Sequence, residues 1–330
     1  MEITADSFDS VRLVERPIPE PAAKEVQIRL TAATLNYRDL LMVTGASQSG
    51  RKENCVPLSC GCGVVSAVGS EASRFKVGDR VCPTFFQDWI SGPRTAPGMG
   101  LSLGGTVDGV AREYACYPED YVVKVPDVLG DLEAASLPCA AVTAWNALFA
   151  LHSTKPGDVV LLQGTGGVSI AGLQLAKAAG ATVIITSSSP VKLERSRALG
   201  ADYLINYREV PEWGARARQI TGERGVDIVL DVVGAEGMAQ TQAALKPDGV
   251  IAAIGLLAGT PGRTMTPRPA PMQVVRVGSR EHFEDMNRAI AANGIRPVID
   301  RVYPLERLPE AMQALKSGAI FGKVGIEIQA

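Results

Sequence analysis

Short stretches of alternating apolar and polar residues dominate the first part of the chain. Val26-Gln27-Ile28-Arg29-Leu30 and Gly63-Val64-Val65-Ser66-Ala67-Val68 alternate in this way, and Gly, Pro and Asp break the pattern, as in Val77-Gly78-Asp79-Arg80-Val81. Such alternation predicts half-buried strands joined by turns, so the region up to about Pro126 reads as β-rich. From Asp131 the rhythm becomes strand–helix–strand. Val159–Leu162 is apolar throughout and a helical stretch follows over Ser169–Ala179. Thr182–Thr186 is the next strand, Val191–Leu199 the next helix, and Ile228–Leu230 and Val250–Ile254 are further strands. Uniformly apolar runs of this length suit parallel strands buried on both faces, and repeated β-α-β units imply a doubly wound sheet. Gly259–Pro271 holds four prolines and reads as an irregular loop before the strand-like Val274–Val277. After about Pro297 the short period returns, and Val324–Ile328 predicts a strand rejoining the first region.

Composition narrows the class. A chain of 330 residues suggests two domains, and 46% hydrophobic with 21% charged residues is globular. The 33 basic and 35 acidic residues balance to −2, which argues against nucleic acid as a partner. No apolar run approaches the ~20 residues of a membrane span. The start, Met1-Glu2-Ile3-Thr4, lacks a basic leader and an apolar core, so no signal peptide is expected. Six cysteines in this length are no disulfide scaffold, and a cytoplasmic setting with reduced thiols is the expectation.

The most informative motif is Val159-Val160-Leu161-Leu162-Gln163-Gly164-Thr165-Gly166-Gly167-Val168-Ser169, which leads from a strand through a glycine turn into a helix. It is G-x-G-x-x-G with Ser169 in the third glycine position. Glycine lets a pyrophosphate approach the backbone, and a helix N-terminus offers N–H groups and positive potential. At this stage a methyltransferase remains open, because such enzymes also place a glycine turn after their first strand. An NAD-selective site would carry an acid about 20 residues on. Here the second strand ends in Thr186-Ser187-Ser188-Ser189-Pro190-Val191-Lys192, with no Asp or Glu before Glu194. Hydroxyls and a lysine suit the 2′-phosphate of NADPH; an N-cap serine and an exposed first-turn lysine are the alternative.

Other chemistries lack their residues. The only histidines are His152 and His282, neither in a metal-like spacing with cysteine, and Cys60-Gly61-Cys62 is too close for a zinc knuckle. Buried thiols in a β-rich core are the plainer reading of these cysteines. No G-x-S-x-G elbow is present. Hydride transfer, with the cofactor carrying the chemistry, is what remains.

Five blocks then carry a resemblance. They are Leu35-Asn36-Tyr37-Arg38-Asp39-Leu40-Leu41, Arg74-Phe75-Lys76-Val77-Gly78-Asp79-Arg80-Val81, Ala134 to Trp145, Lys155-Pro156-Gly157-Asp158 with the glycine turn, and Phe321-Gly322-Lys323-Val324. In order and spacing the chain resembles the medium-chain dehydrogenase/reductase superfamily along nearly its whole length. It looks closest to the zinc-free, quinone-oxidoreductase-like branch. The resemblance implies an α/β protein: a Rossmann doubly wound parallel sheet plus a β-rich GroES-like domain. The expected segments are a GroES-like catalytic domain over 1–126, a Rossmann NADP-binding domain over 127–296 and a C-terminal return over 297–330. It also implies a small-molecule substrate and a homodimer along the sheet edge, whose pairing Pro267, Pro269 and Pro271 could alter.

By the same resemblance, zinc-bearing relatives hold their catalytic metal with a cysteine, a histidine and a second cysteine. This chain offers Asn36, Ser59 and Cys139 there, so no metal is expected. Cys60 and Cys62 also depart from the branch, which usually has an acid and an alanine at those positions. Thr143 would touch the nicotinamide, and Gly164, Gly166, Gly167 and Val168 would hold the pyrophosphate. Ser187, Ser188, Lys192 and Tyr207 would take the 2′-phosphate of NADP(H). Val233–Gly234 and Gly255–Leu256 would line the ribose and carboxamide, and Lys323 would approach the cofactor. Asn36 and Tyr37 would donate to the developing oxyanion, with Tyr37 or water delivering a proton and Asp39 orienting the loop. The expected activity is NADPH-dependent reduction of a quinone or an α,β-unsaturated carbonyl. Zinc-independent alcohol oxidation and a non-catalytic NADPH-binding role are the alternatives.

Overall fold

The computed structural model describes residues 1–47, 50–95, 100–255 and 271–329. The chain divides into two compact units, Met1–Val142 with Gly278–Ala330, and Thr143–Val277. The expected boundaries at 126/127 and 296/297 fall inside the first unit. Residues 127–142 and 278–296 group with the β-rich part.

The first unit is built on a seven-stranded sheet. Its order is Ile299–Pro304, Lys323–Glu327, Glu25–Thr34, Cys60–Val68, Arg80–Pro83 and Val122–Lys124, with Tyr114–Pro118 also paired to Glu25–Thr34. The alternation read from Val26 to Leu30 is the observed one: Val26, Ile28 and Leu30 are fully buried. They pack with Val65, Val81, Val324 and Ile326 in one core. A register shift between Leu30 and Ala32 breaks the phase, and Ala32, Ala33 and Thr34 are all buried beyond it. The terminal strand Lys323–Glu327 pairs antiparallel with that end, Gly325 opposite Thr34 and Ile326 opposite Ala33. Closure by this last strand carries Lys323 to the residues that follow Thr34.

The second unit is a six-stranded parallel sheet. Its order is Tyr203–Asn206, Thr182–Ser187, Val159–Gln163, Val226–Asp231, Leu245–Ala253 and Met272–Val274. This is the doubly wound order with a switch point beside Val159–Gln163, outside the carboxyl ends of the strands. The two strands flanking the switch, Val159–Gln163 and Val226–Asp231, are buried at every position. β-branched and leucine side chains on both faces suit a strand covered by helices on either side.

Several boundaries differ from expectation. The helix after the glycine turn begins at Gly167, because the turn's own backbone is its first turn. The fifth strand begins at Leu245, where its pairing with Val226 starts. The expected Val274–Val277 strand is Met272–Val274, paired among the described residues only with Leu245–Ala253. Pro271 precedes it and accepts the Ile251 N–H through its carbonyl. Leu256, Pro267, Pro269 and most of the proline-rich segment lie outside the described residues.

Candidate active site

In the second unit the glycine turn sits where the switch-point strand ends. Gly164 has φ of +69°, the left-handed region that glycine adopts without a Cβ penalty. A Cβ added at Gly164 or Gly166 would meet no atom within 4 Å, so the turn borders open space. The helix Gly167–Ala178 starts there with no side-chain cap and no acid in its first turn. Uncapped N–H groups beside open space fit the pyrophosphate of a dinucleotide. Ser169 fits the third motif position because its hydroxyl is turned inward, donating to Gln163 O at 2.7 Å. Close helix-to-sheet packing falls instead at Gly172, where a Cβ would lie 3.1 Å from Leu230 and 3.2 Å from Leu162.

The two neighbouring strand ends bring the other expected contacts together. Ser187 is buried and its Oγ accepts the Ser189 N–H, while Ser189 caps the helix Pro190–Ala198 by accepting from Lys192 N at 3.4 Å. Each hydroxyl therefore uses its oxygen and keeps its hydrogen to donate. Lys192 lies half-buried in the first turn of that helix. Tyr207 is exposed, and its N–H donates to Ser187 O. Thr143, in the helical stretch Val142–Trp145, is buried.

Val233 and Gly255 are held by residues that the sequence reading passed over. Buried Asp231 accepts from Val233 N and Gly234 N through Oδ1, and from Thr241 Oγ1 through Oδ2. Gln163 accepts from Val232 N and Val233 N and donates to Thr241 Oγ1 at 2.7 Å. Gly255 N donates to Asp231 O. The visible signal was a polar residue closing an otherwise apolar strand, Gln163 after Val159–Leu162 and Asp231 after Ile228–Leu230.

In the first unit a polar cluster forms around Asn36, which begins the helix Tyr37–Val43. Asp39 accepts the Asn36 N–H at 2.8 Å and is almost wholly buried. Burial raises its pKa against the pull of Arg38, the Asn36 N–H and Lys323. Lys323, expected to approach the cofactor, is buried within this cluster. Its Nζ donates to Leu35 O at 2.5 Å and to Asn36 Oδ1 at 2.6 Å. Asn36 Nδ2 donates to Cys60 Sγ at 3.0 Å and to Ser59 Oγ at 3.3 Å. Both Asn36 hydrogens are thus engaged inside the protein. Of the three expected catalytic side chains only Tyr37 is open to solvent, at 45%.

Cys60 and Cys139 complete the cluster. Burial pushes the Cys60 thiol up, but the Cys139 hydrogen bond, the Lys323 ammonium and the Asn36 amide outweigh it and bring it to about 7. Cys139 lies on a wide helical turn, Leu137–Ala141, in which Val142 N reaches back to Leu137 O. No spacing in the sequence announces this pair. Among the described residues no three His, Cys, Asp or Glu side chains stand together as a metal site.

Two family models match the chain. Residues 22–127 match the alcohol dehydrogenase GroES-like domain and residues 167–292 match the family described as zinc-binding dehydrogenase. A zinc-type alcohol dehydrogenase-like protein of Schizosaccharomyces pombe is 41% identical over 97% of this chain and 96% of its own. Among solved structures, an NAD-dependent alcohol dehydrogenase superposes with a TM-score of 0.90, 31% identity and 99% of each chain covered. A mycobacterial protein complexed with NADPH superposes at 0.84 with 27% identity, over 99% of this chain and 98% of that one. Alcohol dehydrogenases and quinone oxidoreductases both occur among further relatives.

Proposed function

The chain belongs to the medium-chain dehydrogenase/reductase superfamily, and from that premise we propose that it is an NADPH-dependent oxidoreductase reducing a quinone or an α,β-unsaturated carbonyl without zinc. The observation that carries this reading is the Lys323–Asn36 pair. By the family resemblance, Asn36, Ser59 and Cys139 would occupy the positions of the metal ligands of zinc-bearing relatives. Here Asn36 Oδ1 already accepts from a fixed ammonium, and Ser59 accepts from the Asn36 amide. A cation placed beside that ammonium would meet a repulsion of about 4 kcal/mol per unit of charge at ~4 Å and an effective dielectric of ~20. The zinc-binding description of the second matched family does not weigh against this, since residues 167–292 contain no cysteine and one histidine, His282.

The residues divide the work as follows. The cradle at Gly164–Val168 and the clamped Val233 loop fit a dinucleotide, and the serines, Lys192 and Tyr207 favour one with a 2′-phosphate. Bound NADPH supplies the hydride. Lys323 polarises the Asn36 amide and sets a positive potential in the first unit's cluster, the sign that a developing oxyanion needs. Tyr37 has the accessible phenol and is the donor to substrate oxygen, with Tyr37 or water giving the proton. Asn36 acts by positioning, and Asp39 fixes the start of its helix.

A second reading, NAD(P)-linked alcohol oxidation, draws support from the likeness to the NAD-dependent alcohol dehydrogenase. One experiment separates the two. Protein dialysed against a chelator is assayed for NADPH oxidation with a panel of quinones, enones and aldehydes, and for NAD⁺ or NADP⁺ reduction with alcohols. Turnover of quinones or enones with NADPH, undiminished by chelation, supports the proposal. Activity confined to alcohols with NAD⁺, activity that requires zinc, or binding of NADPH with no turnover overturns it.

A further inference from the structure

Two pairs of touching cysteines lie along the Cys60–Val68 strand, in opposite surroundings. Cys60 and Cys62 are two residues apart, so their side chains share one face, about 7 Å apart along the strand. Cys62 hydrogen-bonds to Cys82, and its Sγ lies 3.9 Å from the Asp131 carboxylate. Burial, the contact with Cys62 and the nearby negative charges all push the Cys82 thiol well above its ordinary value. Cys82 also donates to Ala134 O. The Cys82 thiol therefore keeps its proton, and the Arg80 guanidinium beside the pair is held by two hydrogen bonds to the Asp131 carboxylate.

Cys60 and Cys139 meet the reverse. Their sulfurs hydrogen-bond to each other, the Asn36 amide donates to Cys60 Sγ at 3.0 Å, and the Lys323 ammonium is one residue further, on Asn36 Oδ1. Cys60 is completely buried, whereas Cys139 is partly accessible. The contact with Cys60 and burial hold the Cys139 proton well above its ordinary value while Cys60 titrates near 7. The pair therefore gives up one proton around neutrality and keeps the other between the two sulfurs.

We propose that Cys60 and Cys139 are an oxidisable dithiol that hydrogen peroxide, entering at Cys139, closes to a disulfide. The inference rests on which thiols touch and which can be reached. As the Cys139 sulfur attacks one peroxide oxygen, its proton passes to the Cys60 thiolate, the O–O bond breaks, and Cys139 sulfenic acid and hydroxide form. The Cys60 sulfur then attacks the Cys139 sulfur, and the sulfenic oxygen leaves as water with the Cys60 proton. Two electrons pass from the two sulfurs to the peroxide. Closure requires the sulfurs to move from hydrogen-bonding distance to ~2.05 Å. It also removes the charged sulfur that faces the Asn36–Lys323 pair. Neither NADPH nor an acceptor takes part, so the inference stands apart from the proposed activity.

The test treats the full-length protein with hydrogen peroxide, blocks remaining thiols, and maps peptides by mass spectrometry without reduction. The expected result is a Cys60–Cys139 linked peptide, loss of two titratable thiols per chain, and recovery of both with dithiothreitol, while Cys62 and Cys82 stay reduced. In Cys60→Ser the Cys139 sulfenic acid should persist and be trapped by dimedone. In Cys139→Ser, Cys60 should resist oxidation. Wild-type protein in which Cys60 and Cys139 stay reduced, oxidise without linking, or link to Cys55, Cys62 or Cys82 overturns the proposal. The wild-type map decides the matter even if either variant fails to fold.

Discussion

Lys323 Nζ lies 2.6 Å from Asn36 Oδ1 although 287 residues separate them in the chain, and both are buried. The last strand of the chain makes this contact while it closes the core, since Gly325 and Ile326 pair with Thr34 and Ala33 just before Asn36. Replacing the ammonium by a thioether in Lys323→Met leaves Asn36 Oδ1 and Leu35 O without their donor. Each unsatisfied buried group costs ~1–3 kcal/mol, so urea unfolding should show a clear loss of stability. The Cys60 thiol should also titrate higher in this variant, read from thiolate absorbance. An unchanged thiol titration would show that Lys323 does not act on the cluster.

Tyr37→Phe separates chemistry from binding. If the phenol is the accessible donor, kcat with the best acceptor should fall, by as much as the ~10²–10³ that one oxyanion donor contributes. NADPH affinity should stay the same. Wild-type kcat, where chemistry limits turnover, removes Tyr37 from the mechanism.

Gly166→Val places a side chain in the open cradle. Gly166 has φ of −81°, and an added Cβ there meets no protein atom. The melting temperature of the free protein should therefore be nearly unchanged, while NADPH binding measured by calorimetry falls at least tenfold. Tight binding in this variant would place the pyrophosphate elsewhere.

Lys192→Ala addresses the choice of cofactor. A hydrogen bond to a charged group contributes ~1.5–3 kcal/mol, and ~1.4 kcal/mol is tenfold in affinity. NADPH should weaken roughly ten- to a hundredfold while NADH, which lacks the 2′-phosphate, hardly changes. Equal losses for both, or equal wild-type affinities, would make Lys192 an ordinary helix lysine.

The cysteine pair also predicts a pH dependence. Cys60 titrates at about 7 in the folded chain against an ordinary 9, so the unfolded chain binds the extra proton between those values. Its contribution to stability is present above about 9 and is lost as the pH falls through 7. Cys139 is raised, so its contribution is present below 9 and is lost at higher pH. Compared with a Cys60→Ala, Cys139→Ala double variant, the wild type should gain stability from pH 7 to 9 and lose it above. A flat difference across that range would contradict the coupling.

The amino-acid sequence by itself determined the parts whose signal is local. Uniform apolar runs such as Val159–Leu162, set between turn residues, suit parallel strands buried on both faces, and alternation from Val26 to Leu30 suits a strand with one face on a core. The glycine turn before Gly167 was legible because a left-handed φ such as that at Gly164 is a local demand on residue type, whereas the open space at Gly166 is set by the tertiary fold. Tertiary structure decided what depends on residues far apart in the chain. The residue blocks marked Lys323 as important, yet only the antiparallel pairing of the last strand with Thr34 brings its ammonium to Asn36. Asp231 and Gln163 become a clamp because parallel strands end at the same level, which no spacing between 163 and 231 records. Cys60 and Cys62 look equivalent in the sequence and share a strand face. Cys60 meets the Asn36 amide backed by the Lys323 ammonium, Cys62 the Asp131 carboxylate paired with Arg80, and only the packing against that face sets their surroundings apart.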